Sequence, residues 1–199
     1  MSTSITLKRT TAFQQAIERI HSQALKVQLV QHNQAQMHDL IKKSGESAFD
    51  RNHPQAHFTC SAFVFSPQSA CLALFHKKLQ RWLQPGGHVE VQDPSPLAAA
   101  LREAQEESAL QDLVPIYPFP IDLDIHKIPA RPTEPEHFHF DLRYAFFTQE
   151  PHKALLSAES TGLTWLSQDA LQEWQSSDES IGRAVRLSLQ ELRDFLKSS

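Results

Sequence analysis

The spacing of apolar residues changes character at Pro54, and this limits the chain to a mixed architecture. Upstream, Phe13, Ile17, Ile20, Ala24, Val27 and Leu29 recur at roughly helical intervals within residues 10–48. A break expected near His32–Asn33 divides that stretch into two helices. Residues 44–54, SGESAFDRNHP, carry turn formers and read as a linker. From His57 the repeat shortens toward two. Strands are expected over 57–65 and 70–77 about an SPQS hairpin turn, then over 81–83 running into Pro85-Gly86-Gly87. A helix follows from Leu97 to Ala109. Two longer strands, 117–128 and 137–148, enclose the loop PARPTEPE. A short strand at Leu163–Leu166 precedes helices at 167–174 and 179–197. Strands and helices intermix without a regular βαβ rhythm, which predicts an α/β chain with a mixed sheet and helices on both faces. Residues 1–52 read as an N-terminal helical extension, and residues 53–199 as the domain proper.

Composition narrows the function classes. Hydrophobic residues make up 40% and charged residues 21%, as in ordinary globular domains. A net charge of −4 weighs against an electrostatic nucleic-acid binder. It leaves a nucleotide substrate open, because a metal ion supplies positive charge locally. Cys60 and Cys71 lie in apolar alternating stretches and read as reduced core thiols. The N-terminus has no apolar signal region and the chain has no run of 18 apolar residues, so neither a secretory signal nor a membrane span is expected. The expected location is the cytoplasm.

The stretch GGHVEVQDPSPLAAALREAQEESAL, residues 86–110, carries the chemistry. Glu103, Glu106 and Glu107 stand at i, i+3 and i+4, which puts three carboxylates on one face of one helix. Their repulsion costs a few tenths of a kcal/mol per pair on an exposed helix. The arrangement becomes useful where hard cations sit, since Mg²⁺ takes oxygen ligands and keeps places for water and phosphate. Leu97, Ala100, Leu101 and Ala104 form the opposite, apolar face and fit packing on a sheet. Gly86-Gly87 allows close backbone approach, and a carbonyl there is a further candidate ligand.

This stretch resembles the Nudix box: G, five residues, E, seven residues, then R-E-U-x-E-E-x-G-U, where U is bulky and apolar. Gly87 matches the opening glycine, Arg102 and Glu103 the RE pair, Glu106 and Glu107 the EE pair, and Leu110 the last apolar position. Asp93 stands in place of the first Glu, eight residues rather than seven before Arg102. Ala104 is small for its position and Ala109 replaces the final glycine. The words WLQPGGHVE and the longer box are similar to a subgroup of that family. The resemblance covers about residues 57–175 and implies a Nudix-type α/β/α sandwich that hydrolyses a phosphoanhydride bond in a small nucleoside-diphosphate-linked molecule. It implies Mg²⁺ or Mn²⁺ as cofactor, held by Glu103, Glu106, Glu107 and the Gly86 carbonyl, with Arg102 orienting the glutamates. It also points to Glu159, six residues before Trp165, as an extra metal ligand or the general base.

A second polar face lies outside the box. In HFHFDLRY, His137, His139, Asp141 and Arg143 share one strand face, and in IDLDIHKI so do Asp122, Asp124 and His126. Such alternation marks an antiparallel strand with one wet face. If the two strands are neighbours, the same residues form a substrate pocket or a His/Asp metal site. His126, His139, Asp141 and the loop residue His88 are the substrate-binding candidates.

Other readings remain at this stage. Isopentenyl diphosphate isomerases resemble Nudix proteins, but their cysteine before a Gly-His pair has no counterpart in Gln84–His88. A non-catalytic metabolite-binding module is opposed by the presence of all three box glutamates. An RNA-end pyrophosphohydrolase is opposed by the acidic balance and the lack of a basic run. The N-terminal helices carry an apolar stripe that must be buried, over a sheet edge, in a homodimer interface or at the pocket mouth.

Overall fold

The computed structural model describes residues 2–132 and 134–198. Five α-helices and eight strands follow in the order α1 (Ser2–Glu18), α2 (Gln28–Ser44), β1 (Ala56–Phe65), β2 (Cys71–His76), β3 (Arg81–Leu83), β4 (Gly86–His88), α3 (Pro96–Ser108), β5 (Val114–Pro115), β6 (Asp122–Ile128), β7 (His137–Phe147), β8 (Ser160–Leu166), α4 (Gln168–Ser177) and α5 (Glu179–Ser198). The strands form one mixed sheet. β1 and β7 run parallel at its centre, in register from Ala56↔Phe138 to Phe65↔Phe147. β6 and β5 pair antiparallel with the far edge of β7. On the other side, β1 pairs with β4 along Thr59–Ser61 and meets β2 only at Phe65↔Cys71. The expected β1–β2 hairpin therefore exists, but its strands diverge after one rung and β4 fills the space.

Alternation along β1 divides the core in two. Phe58, Cys60, Ala62 and Val64 face α1, α2 and α3, packing with Phe13, Ile17, Val30, Met37, Ile41, Ala100 and Ala104. Phe63 and Phe65 face α4 and α5, packing with Leu171, Trp174, Ile181, Ala184 and Val185. Helices thus cover both faces, as the mixed pattern predicts. Toward its other end that second face of β1 turns polar, with His57, Thr59 and Ser61, and there it borders a cleft.

Several local expectations are corrected. The N-terminal helices break over residues 19–27, not at His32–Asn33, which lie inside α2. Asn33 is tolerated there because its buried amide donates to the Leu123 carbonyl at 3.0 Å, so a tertiary partner overrides a poor local propensity. The supposed linker contains a 3₁₀ turn at Gly45–Phe49 that buries Ala48 and Phe49. The strand expected from 117 begins at Asp122. Cys60 and Cys71 are both buried and free. Among the described residues, no helix is long and apolar enough to cross a membrane.

Candidate active site

Helix α3 starts cleanly. Ser95 caps it by accepting from the Ala98 N–H at 3.2 Å, and Pro96 occupies the first turn, where its missing N–H costs nothing. Ala109 ends it at φ 60°, the left-handed conformation for which a glycine would be unstrained. Ala99, Ala100 and Ala104 are buried against the sheet, so the helix lies close to β1 and the glutamates project past β4.

Two glycines permit that approach. A Cβ on Gly87 would stand 2.7 Å from the Glu103 carboxylate, and one on Gly86 would stand 2.5 Å from Ser61 Cβ. The Gly86 N–H donates to Glu107 Oε2 at 2.8 Å. Arg102 is the organiser. Its Nη1 donates to Glu103 Oε1 at 2.8 Å and to Glu106 Oε2 at 3.1 Å, and its Nη2 donates to the His88 carbonyl at 2.8 Å. Asp93, the residue in place of the first box glutamate, is buried and receives Arg102 Nε and Nη2 at 3.1 and 3.0 Å. Asp93 therefore anchors the arginine.

Glu103, Glu106, Glu107 and Glu159 line one wall of a cleft of about 840 Å³. The same cleft is lined by His88, His126, His139 and Asp141, so the residues singled out from two separate sequence stretches meet in one cavity. Arg51, Lys77, Lys78 and Arg131 also line it, giving cationic counterparts to the glutamates. Register explains the meeting. Across adjacent strands, His126 stands opposite His139, which stands opposite His57, while His88 stands opposite Thr59.

Burial, the largest influence, pushes Glu103 up to about 6 despite Arg102, with Glu106 and Glu159 adding repulsion. Burial also pushes Glu107 up to about 7 against the Gly86 N–H, with the other three glutamates adding to the rise. Crowded, half-buried carboxylates with an all-oxygen donor set fit a hard divalent cation. A carboxyl with a raised pKa in the folded chain is destabilising once ionised, so its penalty grows as pH rises from its unfolded value through its folded one. We expect Glu107→Gln, in chelator, to raise Tm at about pH 8 and to raise it far less at about pH 5, close to the unfolded value where the penalty begins. Saturating Mg²⁺ should reverse the order at the higher pH. A pH-independent difference between variant and parent would show that Glu107 is not held in this strained state.

The histidines titrate in the opposite sense. Burial first, then the neighbouring histidines and, for His57 and His88, Arg51, lowers His57 to about 3, His88 to about 4 and His139 to about 2. All three are neutral imidazoles at neutral pH. Comparing variant with parent cancels their contribution.

Asp141 is 3% exposed, and both its oxygens are engaged, by Thr59 Oγ1 at 3.1 Å, Ser61 Oγ at 2.7 Å and Arg143 Nε at 3.1 Å. Behind it lies a buried charge network. Arg143 reaches Asp122, Asp124 and Ser180, and Arg183 reaches Asp122 and Asp124. His126 Nδ1 lies 3.0 Å from Asp124 Oδ2. The network stabilises the wall that presents His126, His139 and Asp141. Sequence reading did not single out His57, which is fully buried. Its signal was the polar alternation His57, Thr59, Ser61 inside an otherwise apolar strand.

The NUDIX domain model matches residues 56–185. Among solved structures, a NUDIX-family hydrolase from Clostridium perfringens is 25% identical, with a TM-score of 0.53 over 66% of this chain and 95% of that one. An Ap4A hydrolase from C. elegans, in a binary complex, is 16% identical, with a TM-score of 0.50 over 71% of this chain and 98% of that one. No curated protein sequence matches the chain.

Proposed function

From the premise that this chain belongs to the Nudix family of hydrolases, which cleave acid anhydrides, we propose that it hydrolyses the diphosphate bridge of a small nucleoside-diphosphate-linked compound with Mg²⁺ or Mn²⁺ as cofactor. The observation that carries this reading is the cleft itself, with a glutamate cluster on one wall and Arg51, Lys77, Lys78 and Arg131 among its other lining residues. A diphosphate needs cations around its own oxygens, and the glutamates need a cation between them and the phosphates.

In this reading Glu103, Glu106, Glu107 and the Gly86 carbonyl hold the metal. A cation held there would neutralise phosphate charge and make a water more acidic. Glu159 takes the proton from the attacking water, help worth about 10²–10⁴ in rate. Arg102, fixed by Asp93, holds Glu103 and Glu106 in place and does not touch substrate. His88, His126 and His139 offer hydrogen-bonding edges to the rest of the substrate, and Asp141 orders the strand wall behind them. Water adds to phosphorus and the bridging P–O bond breaks, so that NDP–X yields NMP and phospho-X. The two free buried cysteines suit the reducing cytoplasm in which we place the protein.

The test is phosphate and nucleotide release from nucleoside triphosphates, ADP-ribose, dinucleoside polyphosphates and nucleotide sugars, with Mg²⁺ or Mn²⁺ and with EDTA. We expect turnover of at least one compound, abolished by EDTA. Tight binding of one compound without turnover of any would identify a sensor domain instead.

A further inference from the structure

Next to the glutamate cluster stands a group of a different chemical kind. His57, His137 and His139 each bring a ring nitrogen within 4.8 Å of the other two. Their ring centroids lie 4.7 to 5.2 Å apart. The parallel register of β1 and β7 places His57 beside His139, and His137 is two residues away on the same face of β7.

Three details point to a ligand. His57 is 0% exposed and, among the described residues, neither of its ring nitrogens has a hydrogen-bond partner. An imidazole buried without any partner bears a substantial desolvation cost, which something in its environment should offset. His137 Nδ1 lies 2.9 Å from the Pro135 carbonyl, which can only accept, so the proton belongs on Nδ1 and the lone pair on Nε2. That lone pair points at His139, Nε2 to Nε2, at 3.3 Å. A tetrahedral zinc with Zn–N bonds of about 2.0–2.1 Å has its ligand nitrogens roughly 3.3–3.4 Å apart. The carbonyl behind His137 is also the usual outer partner of a metal-bound histidine, fixing both tautomer and ring direction. The Glu134 carboxylate stands beside the group, its Oε1 3.8 Å from His137 Nε2.

We propose that His57, His137 and His139 form a binding site for a borderline transition-metal ion, Zn²⁺ first, with the fourth position left to water. The site is distinct from the glutamate cluster. Imidazole nitrogens favour Zn²⁺ and its neighbours in the first transition row, whereas an all-oxygen cluster favours Mg²⁺ or Mn²⁺. His139 also lines the diphosphate cleft, so the ion lies at the cleft wall and presents a positive charge to an anionic substrate. The proposal does not depend on the hydrolytic reading, and its test uses no turnover.

The experiment is Zn²⁺ titration of the chelator-treated full chain in excess Mg²⁺, followed by calorimetry and Tm. Co²⁺ in place of Zn²⁺ gives visible absorption that reports four-coordinate nitrogen ligation. The parent and Glu103→Gln should each bind one equivalent with a rise in Tm. His139→Gln, at a half-buried position, should weaken binding by more than the ~10–100-fold that loss of an outer partner costs. His137→Gln should do the same, and it covers the case in which one variant folds poorly. Absence of Zn²⁺ binding by the parent would overturn the proposal. So would binding that both histidine variants retain, or that Glu103→Gln alone abolishes. In those cases the 3.3 Å contact is a hydrogen bond between two differently protonated imidazoles.

Discussion

Glu106→Gln is expected to lower turnover of any hydrolysed diphosphate by more than the ~10–100-fold that loss of an outer partner of a metal ligand costs, because it removes a ligand itself. The fold should be indifferent to the change. The Glu106 side chain is 59% exposed, and its ion pair with Arg102 is an i,i+4 surface pair of the kind worth only about 0.3–0.5 kcal/mol. Removing its charge also relieves repulsion within the cluster. Glutamine keeps the length and one carbonyl oxygen, so what is lost is the charge that attracts a hard cation. Steady-state rates with varied Mg²⁺, alongside Tm, separate the two effects. The expected pattern is a collapsed rate with Tm within about 2 °C of the parent, as surface substitutions usually give. A near-normal rate at every Mg²⁺ concentration, limiting as well as saturating, would remove Glu106 from the chemistry.

The second large effect is on stability. Arg143→Met should destabilise the chain by about 3–5 kcal/mol, the cost of taking one partner from a buried ion network. Arg143 is 3% exposed and donates to Asp122, Asp124 and Asp141. Without it, three buried carboxylates share Arg183 alone, which reaches only Asp122 and Asp124. For a chain of this size the shift is roughly 6–20 °C in Tm. Its pH dependence identifies the cause. Burial pushes the Asp124 carboxyl up, but Arg143, first among the opposing influences, helps hold it well below the usual carboxylate range. In the variant the Asp124 carboxyl rises, so its protonation relieves the repulsion and the stability gap between parent and variant narrows as pH falls. A gap that stays constant with pH would assign the loss to packing instead.

These two residues also differ in how far sequence could reveal them. Glu106 belongs to a local pattern, since i, i+3 and i+4 on a helix with a capped start and an apolar opposite face need no tertiary information. Arg143 was legible only as a member of a polar strand face. Its role comes from Asp122 and Asp124 on the antiparallel neighbour and from Arg183 and Ser180 on α5. His57 shows the sharper limit. One histidine in a strand that is otherwise largely apolar reads as a core residue until β7 is laid beside it. The misplaced helix break has the same origin, because Asn33 looks like a helix breaker unless the Leu123 carbonyl is known to receive it.

The sequence by itself determined the alternation of strands and helices after Pro54, the helix that carries three glutamates on one face, and the family to which the chain belongs. The first two follow from spacing within one segment, where the geometry of a helix or strand sets which side chains share a face; the family follows from the resemblance of residues 86–110 to the Nudix box. Only the tertiary structure decided that Asp93 anchors Arg102, that Asp141 is already fully bonded, and that His57 joins His137 and His139. These depend on pairings between residues nine to more than eighty positions apart. Local periodicity carries no information about which strand lies next to which, and that choice is made by packing of the whole core.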